Sequence, residues 1–538
     1  MQQTRFSAAA FDETPNDNKS IPYGMVRAVS HYLELTGVLG YVRRLKSKGV
    51  RLDRMVVAMC VFTMYASNSL NACAEWLSDP AVRRCLGFKI GEDISQRTLN
   101  RGLELLGRNR EGVILALWDG LKRRFEIDDY DINLDGSAVV LYGPKSEYAM
   151  KGYGRDKNRG KLQVEFMVAQ LSSMGIPVYI KPYAGNVPDE RQYRDCVPEL
   201  ASMLSSDSLH SMDGFKKSTS TDDEGTLQQV AAVAMLGAAI IMDNGGASED
   251  NIDRTLACGL GYVTRVKMNS SDDKNIQNNI SQFEYIGDGM FCFTKHYKES
   301  GRNTYLFLSA DLFQKGFHSA SARFEKDMAV VNDIRAGRMR RSDVVTVRKL
   351  PGVHVDVTIT TQSELMPLSE TDRRRALRKK MGIRCGFFKL ESNLQLTPSQ
   401  ALQRYRRRAG VEHLISSLKR ITGIKPIRVW KAGSVDGAMT LALLAEAAIS
   451  MARYCMKGTG RGEEDEGEEA AIPSKPSTES IVRSLAHLTL TRFRHRKGRY
   501  EAVLSNWEPI STEILATIAL HESPDWGDKK IPRSPLLV

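Results

Sequence analysis

The order of segments between residues 130 and 268 limits the fold of this chain more than any other feature. Three strand-like segments come first (130–143, 161–171 and 176–185), and the turn SSMGIP separates the second from the third. Consecutive strands joined by short turns pair side by side, so an antiparallel meander is predicted. A helix, the short apolar strand AAIIM, a helix capped by Ser248 and a fifth strand follow. This order predicts a mixed sheet with helices on its faces.

Helical periodicity dominates before and after this region. Residues 25–125 carry apolar side chains at helical spacing. Within them, SLNACAEWLSD and ISQRTLNRGLELLG resemble a helix-turn-helix, in which Ser95 would cap the second helix. Its exposed donors would then be Arg97, Asn100 and Arg101. The alternative is a plain helical bundle with a solvated basic face.

Charge and cysteine content narrow the class of protein. The chain has 76 Lys and Arg against 64 Asp and Glu, a net charge of +12 that suits a phosphate-rich partner. Its 42% hydrophobic content excludes a wholly disordered protein. Eight cysteines are scattered without a Cys-x-x-Cys pair, which indicates a reduced, intracellular protein.

The sequence also predicts a soluble protein that needs no nucleotide. Its N-terminus lacks the apolar stretch of a secretory signal. The longest apolar run, 438–452, is interrupted by Thr440, Glu446 and Ser450 and predicts a buried helix rather than a membrane span. No phosphate-binding Gly-x4-Gly-Lys-Ser/Thr loop occurs in the sequence. We therefore expect neither membrane association nor a nucleotide cofactor.

The segment 397–430 carries the most informative pattern. Between 401 and 431, nine Lys and Arg residues accompany a single acid, Glu412, and so basic a helix favours a polyanionic partner. One continuous helix at about 100° per residue would place four side chains in one narrow stripe: Tyr405, Arg408, Glu412 and Lys419. The neighbouring arc is apolar and would pack on the sheet. The alternative is a solvated basic helix with one chance acid.

Two aspartates lie where a catalytic sheet would place them. Asp135 lies within the first strand, and Asp243 ends the apolar fourth strand. If these two strands are neighbours, both carboxylates face the crevice at the sheet edge, and the basic helix brings Glu412 to them. Three clustered carboxylates repel unless a cation intervenes, and oxygen ligands select Mg²⁺ or Mn²⁺. Taken singly, Asp135 could be a turn residue and Asp243 a helix cap.

Together these residues resemble a known family. The spacing Tyr405-x2-Arg408-x3-Glu412-x6-Lys419 matches the Y-R-E-K box of prokaryotic insertion-sequence transposases of the DDE class. LDGSAVVLYG resembles the family's first-aspartate strand, and MDNGGASEDN its second-aspartate segment. KGYGRDK and GIPVYIKPYAGNVPDE are similar to the segments that lie between them. Asn244 and Ala409 depart from the family, which commonly has Arg and an aromatic residue at these places.

The resemblance implies a fold, a reaction and a set of site residues. The fold would be ribonuclease-H-like, with a mixed sheet, helices on both faces and a mainly β insertion. Asp135, Asp243 and Glu412 would be catalytic and would bind two Mg²⁺ or Mn²⁺ ions. The DNA-binding residues would be Tyr405, Arg408, Lys419 and Lys267. No Trp lies in the expected insertion, which argues against a base-stacking Trp there and leaves a hairpin intermediate in doubt.

We expect six segments along the chain. They are a helical N-terminal DNA-binding domain (1–128), a first core part (129–268), a mainly β insertion (269–395), a second core part (396–456), a flexible acidic linker (457–480) and a small C-terminal module of helix, hairpin and helix (481–538).

The implied activity is hydrolysis of a phosphodiester at each element end, followed by transfer of the freed 3′-OH into target DNA. The expected partners are double-stranded DNA and a second copy of the chain, with which the DNA-bound protein would be a homodimer. The expected location is the prokaryotic cytoplasm, at the nucleoid. A nuclease without strand transfer and a non-catalytic DNA-binding relative are the alternatives.

Overall fold

The computed structural model describes most of the chain and divides it into two compact units. Unit 1 comprises 1–261 and 406–538, and unit 2 comprises 262–405. The residues that the structure describes are 20–89, 91–141, 146–152, 160–206, 223–297, 301–336, 370–456, 476–494, 500–524 and 530–531.

Unit 1 begins with a short strand and seven helices. They are β1 (Ser20–Ile21), α1 (Tyr23–Leu35), α2 (Val38–Arg44), α3 (Leu52–Tyr65), α4 (Leu70–Trp76), α5 (Pro80–Cys85), α6 (Gln96–Arg108) and α7 (Arg110–Arg124).

Ser95 caps α6 as predicted, because its Oγ accepts a hydrogen bond from the Thr98 amide. The expected two-helix motif is wrong in one respect. The connection between its helices contains α5, which begins at Pro80 with Asp79 as its cap.

The sheet of unit 1 follows the predicted order. Its elements are β2 (Ile132–Val140), β3 (Met150–Lys151), β4 (Leu162–Leu171), β5 (Ile176–Ala184), α8 (Asp189–Ser205), α9 (Asp223–Met235), β6 (Ala239–Met242) and α10 (Glu249–Ala257). Strands β2, β4 and β5 form the antiparallel meander, and β6 pairs with β2 in parallel. The sheet is therefore mixed, as the sequence predicts.

Helices cover both faces of this sheet. Gly136 of β2 faces Gln192 of α8 on one side. On the other side of the same strand, Asn133 contacts Arg407 and Asp135 contacts Arg408. Side chains of a strand alternate between the faces, so the two sets of contacts lie on opposite sides. The fold is mixed α/β with a helix-flanked mixed sheet, as the sequence predicts.

Unit 2 contains the next group of strands and helices along the chain. Its elements are β7 (Gly261–Val266), α11 (Ser270–Asn279), β8 (Glu284–Gly287), β9 (Met290–Tyr297), β10 (Arg302–Ser309), α12 (Ala310–Arg335), α13 (Glu370–Met381), β11 (Phe387–Ser392) and α14 (Pro398–Arg406). The strands pair antiparallel in the order β7-β11-β10-β9-β8. The buried ion pair between Lys389 Nζ and Asp272 Oδ2, 2.8 Å apart, joins β11 to α11.

The expectation of a mainly β insertion at 269–395 is wrong for the described part. Helix α12 alone runs for 26 residues directly after β10, and its first residues end the strand-like sequence segment RNTYLFLSADLF. The basic segment at 370–381 is also a helix, α13. Two strand-like segments of the expected insertion, VVTVRKL and VHVDVTITTQ, lie outside the described residues. So do most of the segment KGYGRDK and most of the predicted linker at 457–480.

The remainder of unit 1 comprises two helices and a small module. They are α15 (Ala409–Arg420), α16 (Ala432–Cys455), α17 (Thr478–His487), β12 (Thr489–Arg494), β13 (Tyr500–Ser505) and α18 (Pro509–His521). The predicted terminal module of helix, hairpin and helix is confirmed. Strand β12 also pairs with β1, so the two ends of the described chain share one small sheet.

Helix α16 is the central helix of unit 1. By length and composition it could cross a membrane, but 83% of its most apolar window is buried inside the fold. It packs closely on α6, and a Cβ at Gly437 would lie 1.9 Å from the Leu103 carbonyl oxygen. Only glycine permits so close an approach of two helices. The burial is that of a core helix, as predicted for the run 438–452.

A buried carboxyl joins this core helix to its neighbours. Glu446 of α16 is 2% exposed and accepts hydrogen bonds from Ser417 of α15 and Thr478 of α17. Burial raises the pKa of Glu446 from 4.5 to about 7, although both hydrogen bonds act in the opposite direction. The folded protein therefore holds this proton more tightly than the unfolded chain does.

We expect Glu446→Gln to raise stability at pH 8 and to change it little at pH 4.5. The raised pKa means that the stabilising proton is present below pH 4.5 and is lost as the pH rises towards about 7. Above pH 7, burying the charge costs on the order of 3 kcal/mol, which the neutral amide avoids. Urea unfolding of both proteins at the two pH values measures the difference. An equal effect at both values would contradict this account.

Candidate active site

The pairing of β2 with β6 sets Asp135 and Asp243 level with one another. Ile132 is paired with Ile240, and Asn133 with Ile241, in parallel register. Asp135 lies two residues beyond Asn133, and Asp243 two residues beyond Ile241. Equal steps along parallel strands keep such residues side by side at the carboxyl end of β6. The condition set by the sequence, that these two strands are neighbours, is met.

The guanidinium of Arg408 lies among the three acids. Its Nη2 is 3.0 Å from Asp135 Oδ2 and 3.6 Å from Asp243 Oδ2. Its Nη1 donates to Glu412 Oε1 at 2.7 Å. The side chains of Arg408 and Asp135 are 14% and 12% exposed, whereas that of Glu412 is 59% exposed. Three carboxylates from distant parts of the chain thus share one cation, and Glu412 lies on the solvent side.

Helix α15 and the turn before it are fixed along β2 by polar contacts. Asn133 Nδ2 donates to the Arg407 carbonyl oxygen at 2.9 Å, and Lys419 Nζ donates to Ser137 Oγ at 2.6 Å. Apolar residues of α15 are buried beneath it, as its pattern predicts: Val411, Leu414 and Leu418. The strand that holds Asp135 therefore also orients Arg408 and Lys419.

The loop after β6 is built around Asp243. Its Oδ1 accepts hydrogen bonds from the amides of Gly245 (2.8 Å) and Gly246 (3.2 Å). Tyr193 of α8 lies against this loop, and its hydroxyl donates to the Leu134 carbonyl oxygen at 2.9 Å. Burial, and then the nearby charges of Asp135 and Asp243, raise the pKa of Tyr193, which keeps the phenol neutral as a donor. Tyr193 therefore contacts both aspartate-bearing segments.

We expect Gly246→Ala to destabilise the folded protein by about 1–3 kcal/mol and to displace Asp243. A Cβ at Gly246 would lie 2.5 Å from the Tyr193 ring, so the loop or the ring must move. Gly40→Ala is the matched control, since a Cβ there meets open space within α2. Urea unfolding of both variants measures the effect. Equal stability of the two would show that the loop accommodates a side chain.

Five of the seven predicted site residues lie together in unit 1. Asp135, Asp243, Glu412, Arg408 and Lys419 all lie in unit 1 at the edge just described. The other two belong to unit 2. Tyr405 packs there against the apolar cluster of β9, β10 and β11, and Lys267 is exposed after β7.

The prediction of one continuous helix through 401–431 is wrong. Helix α14 ends at Arg406 and α15 begins at Ala409, while residues 421–431 are irregular. The i, i+4 contact between Arg408 and Glu412 survives the break, because Arg408 keeps right-handed helical angles before α15. Sequence reasoning also missed Tyr193, for which no local pattern gives a signal.

The chemistry of the donors fits a hard divalent ion. All three side chains offer carboxylate oxygens, the ligands that Mg²⁺ and Mn²⁺ prefer. In this structure the Arg408 guanidinium lies between the three carboxylates. With the guanidinium there, no group of three or more His, Cys, Asp or Glu within the described ranges is arranged to hold a metal ion. An ion would therefore have to replace Arg408.

Comparison with solved structures finds a distant likeness in fold. No family model and no curated protein sequence matches this chain. The chain is similar to a protein in the cryo-EM structure of the piggyBac transposase synaptic complex with hairpin DNA. The TM-score is 0.37 and the identity 11%, over 96% of this chain and 85% of that one.

Proposed function

We propose that this protein is a metal-dependent DNA transposase of a prokaryotic insertion sequence. The observation that carries the proposal is the convergence of Asp135, Asp243 and Glu412 on one cation position at the edge of a mixed sheet. Carboxylates this close together in space repel one another unless a cation lies between them. Their sequence context, including the full Y-R-E-K spacing, favours phosphoryl transfer on DNA.

The proposed roles follow from the position of each side chain. Asp135, Asp243 and Glu412 would hold two Mg²⁺ or Mn²⁺ ions, which supply Lewis acidity to a phosphodiester when bound. Glu412 is exposed, so a DNA phosphate can reach it from solvent. Arg408 and Lys419 would bind phosphates of the element end once DNA competes with their contacts to the carboxylates and Ser137.

Charge and symmetry suggest the partners. A surplus of 12 positive charges favours the backbone of double-stranded DNA, both element ends and target. Joining two ends requires two active sites, so we propose a homodimer in the DNA complex. The proposed location is the cytoplasm, at the nucleoid.

A strand-transfer assay tests the proposal. The genomic DNA that flanks the reading frame supplies the inverted repeats, from which pre-cut donor duplexes with a free 3′-OH are made. We expect the full-length protein in Mg²⁺ to join these ends to a plasmid, and duplexes of scrambled sequence to stay unjoined. Cleavage of intact ends without joining would instead indicate a nuclease of the same fold.

A second candidate function is non-catalytic DNA binding. It is favoured by Arg408, which neutralises the three acids without any metal ion. In that case the protein would bind DNA, and Mn²⁺ titrated calorimetrically into the protein–DNA complex would give no heat beyond that of Mn²⁺ titrated into the same DNA alone. Saturable Mn²⁺ binding that Glu412→Gln weakens would exclude this candidate.

A further inference from the structure

The chain that follows Glu412 is uniformly basic. From residue 413 to residue 435 there is no acid, and five basic residues occur: Lys419, Arg420, Lys425, Arg428 and Lys431. We call residues 425–431, with the sequence KPIRVWK, the basic loop. It lies in unit 1, beyond the end of α15, and no part of the site described above includes it.

The basic loop is held firmly from beneath. The Asn68 amide donates to the carbonyl oxygens of Gly423 and Pro426 at 2.5 and 2.6 Å, and its oxygen accepts from Arg428 Nε at 2.9 Å. The side chain of Ile427 is buried against the helical region. A loop with a buried anchor and two such hydrogen bonds of its own presents its remaining side chains in a fixed arrangement.

The outer side of the basic loop combines an aromatic ring with cations. Trp430 is 60% exposed. Its neighbours in the sequence Lys425, Arg428 and Lys431 are also exposed. Large aromatic residues are mostly buried in folded proteins, so an indole this exposed on a rigid loop points to a ligand. Cations beside an exposed aromatic ring are the combination that binds single-stranded nucleic acid.

We propose that the basic loop is a binding site for unpaired DNA, in which Trp430 stacks on a base and Lys425, Arg428 and Lys431 contact the adjoining phosphates. This inference rests on the proposed function, because it takes DNA as the partner. In a duplex the bases are already stacked on each other, so the indole can reach only a base at a frayed end or in a single strand. Such a strand arises wherever an element end is opened.

The position of the loop suits this role. Lys419 contacts Ser137, two residues from Asp135, and α15 leads from there to the basic loop. Along the chain, Lys419 and Arg420 at the end of α15 lie between Glu412 and the basic loop, so cations continue from the site residues to Trp430 in sequence.

Fluorescence anisotropy with a labelled oligothymidine of about 12 nucleotides tests the proposal on the full-length protein in EDTA. We expect Trp430→Ala to weaken binding by about 10- to 100-fold, and Trp430→Phe to retain most of the affinity. A blunt duplex should lose less than about 3-fold with the same variant. Trp507→Ala is the matched control, since Trp507 is 46% exposed in the C-terminal module, and it should bind like wild type.

The cations are tested by salt dependence. Lys425→Gln combined with Lys431→Gln should lower the slope of log affinity against log salt by about 1.4, the value for two phosphate contacts to a single strand. An unchanged slope would remove both lysines from the site. Equal losses for single strand and duplex on Trp430→Ala would overturn the stacking role.

The outcomes separate this inference from the proposed function. If wild type joins DNA ends but Trp430→Ala binds single strands normally, the basic loop is excluded and the transposase stands. If wild type binds single strands through Trp430 but neither cuts nor joins DNA, the loop stands and the transposase fails. If polyglutamate displaces the oligonucleotide from wild type but not from Trp430→Ala, the loop is a protein-docking surface, and the proposal is overturned.

Discussion

Glu412→Gln should abolish DNA cleavage in Mg²⁺, by roughly 10³-fold or more, while DNA binding stays close to wild type. The carboxylate would share a metal ion that stabilises transition-state charge by several kcal/mol, and each 1.4 kcal/mol is a factor of ten in rate. Glu412 is 59% exposed, so the isosteric amide should leave the fold unchanged. Single-turnover cleavage of a labelled element end and anisotropy on the same duplex measure the two effects.

The matched control for this variant is Glu111→Gln. Like Glu412, Glu111 is an exposed acid beside an arginine: its side chain is 56% exposed and lies 3.4 Å from Arg110. Unlike Glu412, it belongs to α7. The Glu111→Gln variant should cleave DNA like wild type. Wild-type cleavage by Glu412→Gln would remove Glu412 from the mechanism, and weakened DNA binding alone would make it a binding residue.

Arg408→Ala should destabilise the metal-free protein by about 2 kcal/mol and make it far more responsive to Mn²⁺. Without the guanidinium, Asp135 and Asp243 lose a shared, largely buried cation and repel one another. In wild type, a divalent ion must displace Arg408, whereas in the variant its place is open. At 100 times its dissociation constant, an ion stabilises the fold by about 2.7 kcal/mol. Urea unfolding in EDTA and in Mn²⁺ measures both effects without DNA.

Arg407→Ala provides the control for Arg408→Ala. Arg407 is the adjacent residue and pairs with Asp129 at 2.7 Å, away from the three acids. Its loss should cost some stability that Mn²⁺ does not restore. Equal gains from Mn²⁺ in wild type and Arg408→Ala would show that the guanidinium does not compete with the ion. No gain in either protein would favour the non-catalytic candidate.

Local patterns in the sequence were sufficient to predict most elements of unit 1. The meander of β2, β4 and β5, the cap at Ser248 and the terminal module follow from periodicity and turn residues, which act over a few positions. Unit 2 was predicted less well, because a short apolar run such as the start of α12 is compatible with either a strand or a helix.

The sequence by itself determined which residues are candidates for the site, because residue type and spacing are properties of the chain alone. Only the tertiary structure decided how they meet. The pairing of β2 with β6 sets Asp135 beside Asp243, and the break before α15 directs Arg408 onto both. Tyr193 acquires its role from its contact with Leu134, 59 residues away in sequence. Glu446 acquires its role from its contact with Ser417, 29 residues away. Such contacts depend on packing between distant segments, which no local pattern encodes.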